Sequence, residues 1–354
     1  VASRDERVLA VLQKVAPGTA LREGIDRIIK AGKGAIIVIG EDAVEPLVSG
    51  GFRLATKFSA QRLSEVAKMD GAIVVDEDID KIIFANVQLV PDPAVPTSET
   101  GTRHRTAERV ARQTGKPVIS VSESMRIVTV YIDDTKHVLE EISSILFRAN
   151  QALSTLERYR IRLDEVSSTL MSLELENVVT LRDVLLVLQR AEMLRRIADE
   201  IEAYVAELGS DGRLLQLQLD ELMHQVQSER TLVVRDYQPD RRRKLETILK
   251  DLDAIPAERL LDLTTLALAL GQGHVEDSYE ELVSPRGYRL LSRVPRLSER
   301  MIERLIAKFG SLQRLLGASL SELDDVEGIG ETRARQIREG LTRLAEAAAL
   351  ERYS

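Results

Sequence analysis

Seven apolar residues, Ile142, Leu146, Ala149, Leu153, Leu156, Leu163 and Leu170, follow one another at steps of four and three, with Arg160 and Ser167 at the two steps skipped. That period is one face of an α-helix, and the pattern runs to near Asn177. The chain must therefore carry a long helix through its middle, whose seam reads as core or as a contact between copies. Helical patterns continue through 180–208, 213–228, 241–253 and 257–270, broken at "ELGSDG" and "DYQPDRRR". Within this stretch only "TLVV" (231–234) reads as strand. Residues 136–284 are expected to form a helical spine.

The preceding region, 1–135, alternates between two periods. "GAIIVIG" (34–40), "AIVVD" (72–76), "KIIFANV" (81–87), "PVISVS" (117–122) and "RIVTVYI" (126–132) are β-branched runs bounded by Gly, Pro, Asp or Ser. Residues 20–31, 59–69 and 101–115 between them have helical spacing. Close strand pairs together with crossover helices imply an α/β domain with a mixed central sheet. A third region, 285–354, opens where Pro285 and Gly287 punctuate "SPRGYRLL". The expected architecture is a multidomain α+β chain.

Charge divides along the same lines. The net charge is −8, but residues 285–354 hold thirteen Arg or Lys against ten Asp or Glu, which leaves −11 for the rest. The C-terminal region is thus the part suited to a polyanion. There is no cysteine, which excludes disulfides and Cys-based zinc sites and suits a reducing compartment. "VASRDERVLAVLQ" lacks an apolar core of signal-peptide length, and "LLDLTTLALALG" is short of the ~20 residues of a membrane span. A cytoplasmic protein with no membrane partner is expected.

In "LDDVEGIGETRARQI" (323–337), Leu323 and Val326 close one helix, Gly328-Ile329-Gly330 turns, and Ala334 and Ile337 begin the inner face of a second. Glycines allow a sharp turn and a close approach to a partner. The first amides of the second helix then face outward with the positive end of its dipole, and Arg333, Arg335 and Arg338 lie nearby. The stretch resembles the helix-hairpin-helix motif, which binds DNA backbone without reading sequence. A degenerate copy precedes it in "VPRLSERMIERL" (294–305), where Arg296 and Ser298 replace the two glycines. The blander reading is a Gly-Ile-Gly cap on a helical turn; the repeat and the basic balance favour the DNA module, with Gly328, Ile329, Gly330, Arg333 and Arg335 as its contacts.

In "SETGTRHRTAER" (98–109), Thr102, Arg103, His104, Arg105 and Thr106 fall in the first turn of a helix whose inner face is Ala107, Val110, Ala111 and Thr114. Basic residues there oppose the macrodipole unless an anion neutralises both. Two guanidiniums, an imidazole and two hydroxyls suit a triphosphate. A solvated basic turn, with Glu108 pairing Arg105 and Arg112, is the alternative. "KMDGAIVVD" (68–76) places Asp70-Gly71 before a buried strand, either as an ordinary turn or as a carboxylate for a divalent cation. Neither a P-loop nor a paired Asp-x-Asp motif is present.

The order "DGA", "ANVQLVPD", "GTRHRTAERVA", "VISVSE", followed by the spine and the hairpins, resembles the DNA integrity scanning family of diadenylate cyclases along essentially the whole chain. The resemblance implies condensation of two ATP into cyclic di-AMP with release of two pyrophosphates. It implies that Asp70 serves Mg²⁺ (or Mn²⁺) and the attacking 3′-hydroxyl, and that Gly71, Ala72 and Leu89 line the nucleotide site. Thr102, Arg103, His104, Arg105 and Thr106 would hold the phosphates, and Ser122 would add a hydroxyl. It further implies an octamer with cyclase domains face to face, suppression of activity by branched DNA such as recombination junctions, and association with the nucleoid.

Two other readings stand beside this one. A non-catalytic nucleotide-binding DNA-repair scaffold would carry the same motifs without turnover. A structure-specific nuclease is disfavoured by the lack of clustered carboxylates near the hairpins. His137, His224 and His274 are isolated and receive no role. Arg241-Arg242-Arg243 reads as a solvated helix start, or else as an auxiliary DNA contact.

Overall fold

The computed structural model describes residues 4–123, 125, 127–239, 242–273 and 279–351. Arg126, Arg241 and His274, named above, lie outside them. The chain forms two compact units, residues 1–150 with 202–216, and residues 151–201 with 217–354.

In the first unit the elements run α1 (Arg4–Lys14), α2 (Ala20–Lys30), β1 (Ala35–Ile39), β2 (Val48–Ser49), β3 (Phe52–Lys57), α3 (Ala60–Val66), β4 (Ala72–Val75), β5 (Lys81–Leu89), α4 (Thr102–Thr114), β6 (Val118–Val121), β7 (Val128–Ile132) and β8 (Thr135–Val138). Thr19 and Ser59 cap α2 and α3, each accepting a hydrogen bond from the backbone N–H three residues on. The strands join in one sheet ordered β2-β5-β4-β1-β6-β7-β8, with β3 also on β5. β1 and β4 are parallel and the other pairs antiparallel, so the sheet is mixed, as expected.

The apolar runs are continuous because the central strands are covered on both faces. Ile37, Ile39, Ile73 and Val75 point toward Val15, Ile25 and Leu63 of the α1–α3 side. Val38, Val74, Val118 and Tyr131 point the other way, toward Ala107, Val110 and Ala111 of α4. β3 and β8 have no such pattern: their residues are mostly exposed, and β3 contains an irregularity between Arg53 and Thr56. For that reason their sequences do not announce them.

The helical region contains α5 (Ile142–Glu176), α6 (Leu181–Leu208), α7 (Arg213–Met223), α8 (Val226–Tyr237), α9 (Leu245–Asp253) and α10 (Leu263–Leu270). The α5 seam is core: Ala149, Leu153, Leu156, Leu163 and Leu170 are all at most 4% exposed within the single chain. The two skipped positions are used as well. Arg160 donates to the carbonyls of Leu222 and His224 at the end of α7, and Ser167 is buried beside Glu229. "TLVV" is not a strand; it lies inside α8, where Val226, Arg230, Val233, Val234 and Tyr237 are buried at helical spacing. Burial of that face outweighs the β-propensity of four residues. Arg243 bonds Ala269 O and Asp251, and α9 starts only at Leu245, so Arg242 and Arg243 precede the helix. His137 is 3.3 Å from Glu207.

The second unit continues through α11 (Tyr288–Ser292), α12 (Glu299–Phe309), α13 (Leu312–Gly317), α14 (Leu320–Asp324) and α15 (Glu331–Glu351), whose core includes Met171 of α5. Arg289, 2% exposed, meets Glu174 at 2.7 Å and Glu229 at 2.6 Å. Asp236 accepts the backbone N–H groups of Gly287, Tyr288 and Arg289 at 2.7, 2.7 and 2.9 Å, which caps α11 from a distant helix.

Candidate active site and nucleic-acid interface

The turn before β4 and the start of α4 open onto one cavity of ≈ 730 Å³. It gathers Asp70, Gly71, Ala72, Leu89, Thr102, Arg103 and Thr106 from three separate stretches of sequence. The Asp70 side chain is fully exposed, with Arg103 Nη2 3.8 Å from its Oδ1. Gly71 is required by close approach, because a Cβ there would lie 2.6 Å from Asn86 Cα. Asn86 itself holds a left-handed φ of 55°.

Gly101 stands at the N-cap of α4, and neither a capping side chain nor a first-turn carboxylate satisfies the helix start. Its free amides and the Arg103 guanidinium therefore present positive charge to the same volume. A carboxylate at the lip and a cationic floor fit a polyphosphate accompanied by a hard divalent cation. Such a cation is typically held by one or two carboxylates and by the phosphates themselves. Among the described residues no cluster of three or more metal-ligating side chains exists, so Asp70 would act with substrate oxygens.

His104 and Ser122 border a smaller neighbouring cavity of ≈ 500 Å³, with Arg103 and Glu123. Arg103 lines both cavities. Arg105 lines neither; it is exposed, and its Nη2 donates to Thr100 O at 3.2 Å. Ser122 is 8% exposed and its Oγ accepts from Met125 N at 3.3 Å. Of the two pairings open to Glu108, only Arg112 forms, at 3.0 Å. Glu108 turns instead to the loop before α4, taking Thr97 Oγ1 at 2.5 Å and Ser98 N at 3.0 Å. Burial opposes its charge, but these bonds and Arg112 hold its carboxyl below the usual range. The loop is pinned further by Arg109 on Val95 O and Arg112 on Pro96 O.

Sequence reasoning missed Ser49, Gly50, Gly51 and Asn86, which also line the larger cavity. The paired glycines before an exposed Phe52 were the available signal. It also missed Glu99, Tyr131 and Lys136 behind His104.

In the hairpin module, Val326, Ile329, Ala334 and Ile337 are at most 4% exposed, and Gly328 turns the chain at φ 84°. Gly330 is exposed and a Cβ there would meet open space. Arg333 Nη1 donates to Gly328 O at 2.9 Å, fastening the loop to α15, whereas Arg335 pairs with exposed Glu331 at 3.0 Å. The upstream copy folds alike: Val294, Ile302 and Leu305 are buried and Arg296 takes φ 63°. Ile302 N bonds Ser298 O at 3.0 Å, as Ala334 N bonds Gly330 O at 2.9 Å.

Three family models match in series: a DisA bacterial checkpoint controller nucleotide-binding region over residues 22–136, the DisA linker region over 139–279, and a SAM-like helix-hairpin-helix tandem over 288–343. A DNA integrity scanning protein DisA from Acidothermus cellulolyticus is 58% identical, across 99% of this chain and 96% of that protein. The chain belongs to the DNA integrity scanning protein family. A second member, from Streptomyces avermitilis, is 56% identical over 99% of this chain and 95% of that one. A solved DacA structure from Staphylococcus aureus aligns at 24% identity over 39% of this chain and 91% of that one, with a TM-score of 0.31, too slight a likeness to argue from. As a member of this family the chain has an N-terminal diadenylate cyclase domain, a helical middle and a C-terminal helix-hairpin-helix domain. No helix among the described residues is long and apolar enough to cross a membrane.

Proposed function

We propose that the chain condenses two ATP molecules into cyclic di-AMP, releasing two pyrophosphates, and that branched DNA bound at the hairpins lowers this activity. The observation that carries the reading is the meeting of Asp70, Arg103 and the uncapped start of α4 at one cavity. Gly71, Ala72 and Leu89 form its wall, and Thr102 and Thr106 supply hydroxyls. Arg103 and the α4 amides bind and orient the triphosphate and offset charge on it as the reaction proceeds. Mg²⁺ or Mn²⁺ held by Asp70 and the phosphates would supply further positive charge. His104 and Ser122 act from the adjoining cavity, and Arg105 would leave the Thr100 carbonyl to reach the phosphates.

The product has two equivalent 3′–5′ links, so two ATP molecules must face each other antiparallel. Two copies related by a two-fold axis meet that demand with one set of residues. Each 3′-hydroxyl gives its proton to the Asp70 carboxylate or to water, and its oxygen bonds to the partner's α-phosphorus while the bond from that phosphorus to the departing pyrophosphate breaks. We assign residues 1–135 to this chemistry, 136–284 to assembly into an octamer, and 285–354 to DNA, in a cytoplasmic, nucleoid-associated protein. Gly328, Ile329, Gly330, Arg333 and Arg335 would meet the DNA backbone.

The test follows cyclic di-AMP chromatographically from ATP with either metal, with and without a four-way junction. Product that falls when the junction is added supports the full reading. Product indifferent to DNA removes the regulation. A correctly assembled protein that makes no product with either metal leaves a nucleotide-binding scaffold.

A further inference from the structure

Behind His104 runs a chain of hydrogen bonds that neither cavity includes. Nδ1 of His104 is 2.9 Å from the Tyr131 hydroxyl, which donates to Glu99 Oε1 at 2.9 Å, and Lys136 Nζ lies 2.6 Å from the same carboxylate oxygen. The members come from α4, β7, the loop before α4, and β8, so only the folded unit assembles them. Tyr131 is 1% exposed, and its ring meets the imidazole edge-on at 6.3 Å between centroids.

The protons along this chain can be placed by elimination. The hydrogen bond from Lys136 holds the Glu99 carboxyl below its usual range, with the Tyr131 hydroxyl assisting and partial burial opposing. Glu99 is therefore a carboxylate and can only accept. Tyr131 keeps its proton, since burial and Glu99 both push its pKa upward. Its single O–H goes to Glu99, so its oxygen must accept from the imidazole. The donor is the Nδ1–H of His104, which leaves Nε2 as the ring nitrogen free for a ligand.

We propose that Tyr131 and Glu99 are positioning residues that keep the Nδ1–H of His104 on Tyr131, so that Nε2 faces the phosphates of bound ATP and, on taking up a proton from solvent beside their negative charge, donates it to them as a hydrogen bond. The inference rests on the reading of this unit as an ATP site. The charged groups facing the ring are Glu99 and Lys136 on one side, and Arg103, with Glu123 across the smaller cavity, on the other. A ring fixed by Tyr131 meets the phosphates in one orientation; a ring released from it can flip and divide between tautomers. Preorganisation of this kind depends on the supporting shell as much as on the residue it supports.

Two readouts test the proposal. The first uses the whole protein labelled with ¹⁵N-histidine, the His104 signals being assigned by their loss in His104→Gln. The neutral ring should show Nδ1 protonated in the wild type and a mixture of tautomers in Tyr131→Phe. A neutral wild-type ring that, without ATP, carries its proton on Nε2 overturns the proposal, whatever the enzyme does with ATP.

The second compares cyclic di-AMP formation by Tyr131→Phe, His104→Gln and the double variant. Tyr131→Phe should lower turnover about tenfold, less than the ~100-fold that a 1 Å misplacement can cause. The double variant should be no slower than His104→Gln alone, because Tyr131 acts through His104. Glu99→Gln, which keeps an acceptor, should retain most of the activity that Glu99→Leu loses. Losses that multiply in the double variant would mean a structural role and overturn the inference. Wild-type protein inactive on ATP would bring down the ATP reading instead, and the nitrogen spectra would still decide the proton placement.

Discussion

Arg296 and Gly328 occupy the same left-handed backbone corner, at φ 63° and 84°, in two hairpins that share buried Val294/Val326, Ile302/Ala334 and Leu305/Ile337 and the same first hydrogen bond of the second helix. In one hairpin the corner is glycine, and in the other an arginine accepts the strain. An L-residue in this conformation costs about 1–2 kcal/mol, part of it offset by the freedom glycine loses on folding. Gly328→Ala should therefore destabilise the second unit by about 1 kcal/mol, whereas Arg296→Gly should leave it unchanged or slightly more stable. Denaturant midpoints measure both; equal losses from the two substitutions would contradict the shared corner.

Asp70 offers a separation of stability from activity. Its side chain is fully exposed and, among the described residues, its one ion pair, to Arg103, is long at 3.8 Å. Asp70→Asn should shift stability by less than about 0.5 kcal/mol. Cyclic di-AMP formation should fall about 100-fold or more, as when a group offsetting transition-state charge is removed. Thermal melts and product assays on the same preparation check this, and junction binding should persist.

The two hairpin arginines should behave differently. Arg335 pairs with exposed Glu331, so Arg335→Ala should leave the melting temperature alone and weaken junction binding uniformly, lowering the salt slope by about 1. Arg333 also fastens the Gly328 carbonyl to α15, and Arg333→Ala should disturb both binding and local stability. Anisotropy titrations at several salt concentrations, with hydrogen exchange at the loop amides, distinguish them.

Asp236 makes the second unit sensitive to pH near neutrality. Burial, and the nearby Glu174 carboxylate, push its pKa up to about 7 despite three amides that favour its charge. The folded state then keeps a proton that the unfolded chain, with a value near 3.8, has released. Stability from this group is full below that lower value and is lost as the pH rises through about 7, at up to about 1.4 kcal/mol per pH unit. Glu229 works in the opposite sense at lower pH: burial raises its pKa, but Arg289 and Ser167 hold it below the usual range. Unfolding free energies between pH 5 and 8 should decline in the wild type and decline less in Asp236→Asn. The variant should also be weaker throughout, because an amide NH₂ cannot accept from the α11 amides. Parallel curves for the two proteins would remove Asp236 as the source.

The sequence by itself determined the elements whose burial is periodic. The α5 seam, the two-faced central strands and the paired hairpins each repeat apolar residues at the spacing of the structure they form, so local pattern and tertiary burial agree. The cluster of basic residues at the α4 start was legible for the same reason: a helix beginning can be read from its first turn. What lacked a period was hidden. β3 and β8 have mostly exposed residues, and "TLVV" has a strand's composition inside a helix. Only the tertiary structure decided that Arg103 would reach Asp70 while Arg105 turned away to Thr100, and that Glu108 would hold a loop and not Arg105. It alone brought Tyr131 and Glu99 behind His104, and placed Arg289 among buried carboxylates. Most of these are contacts between residues far apart in sequence, and the buried ones are made where chain crossings leave a polar group away from water and in need of a partner.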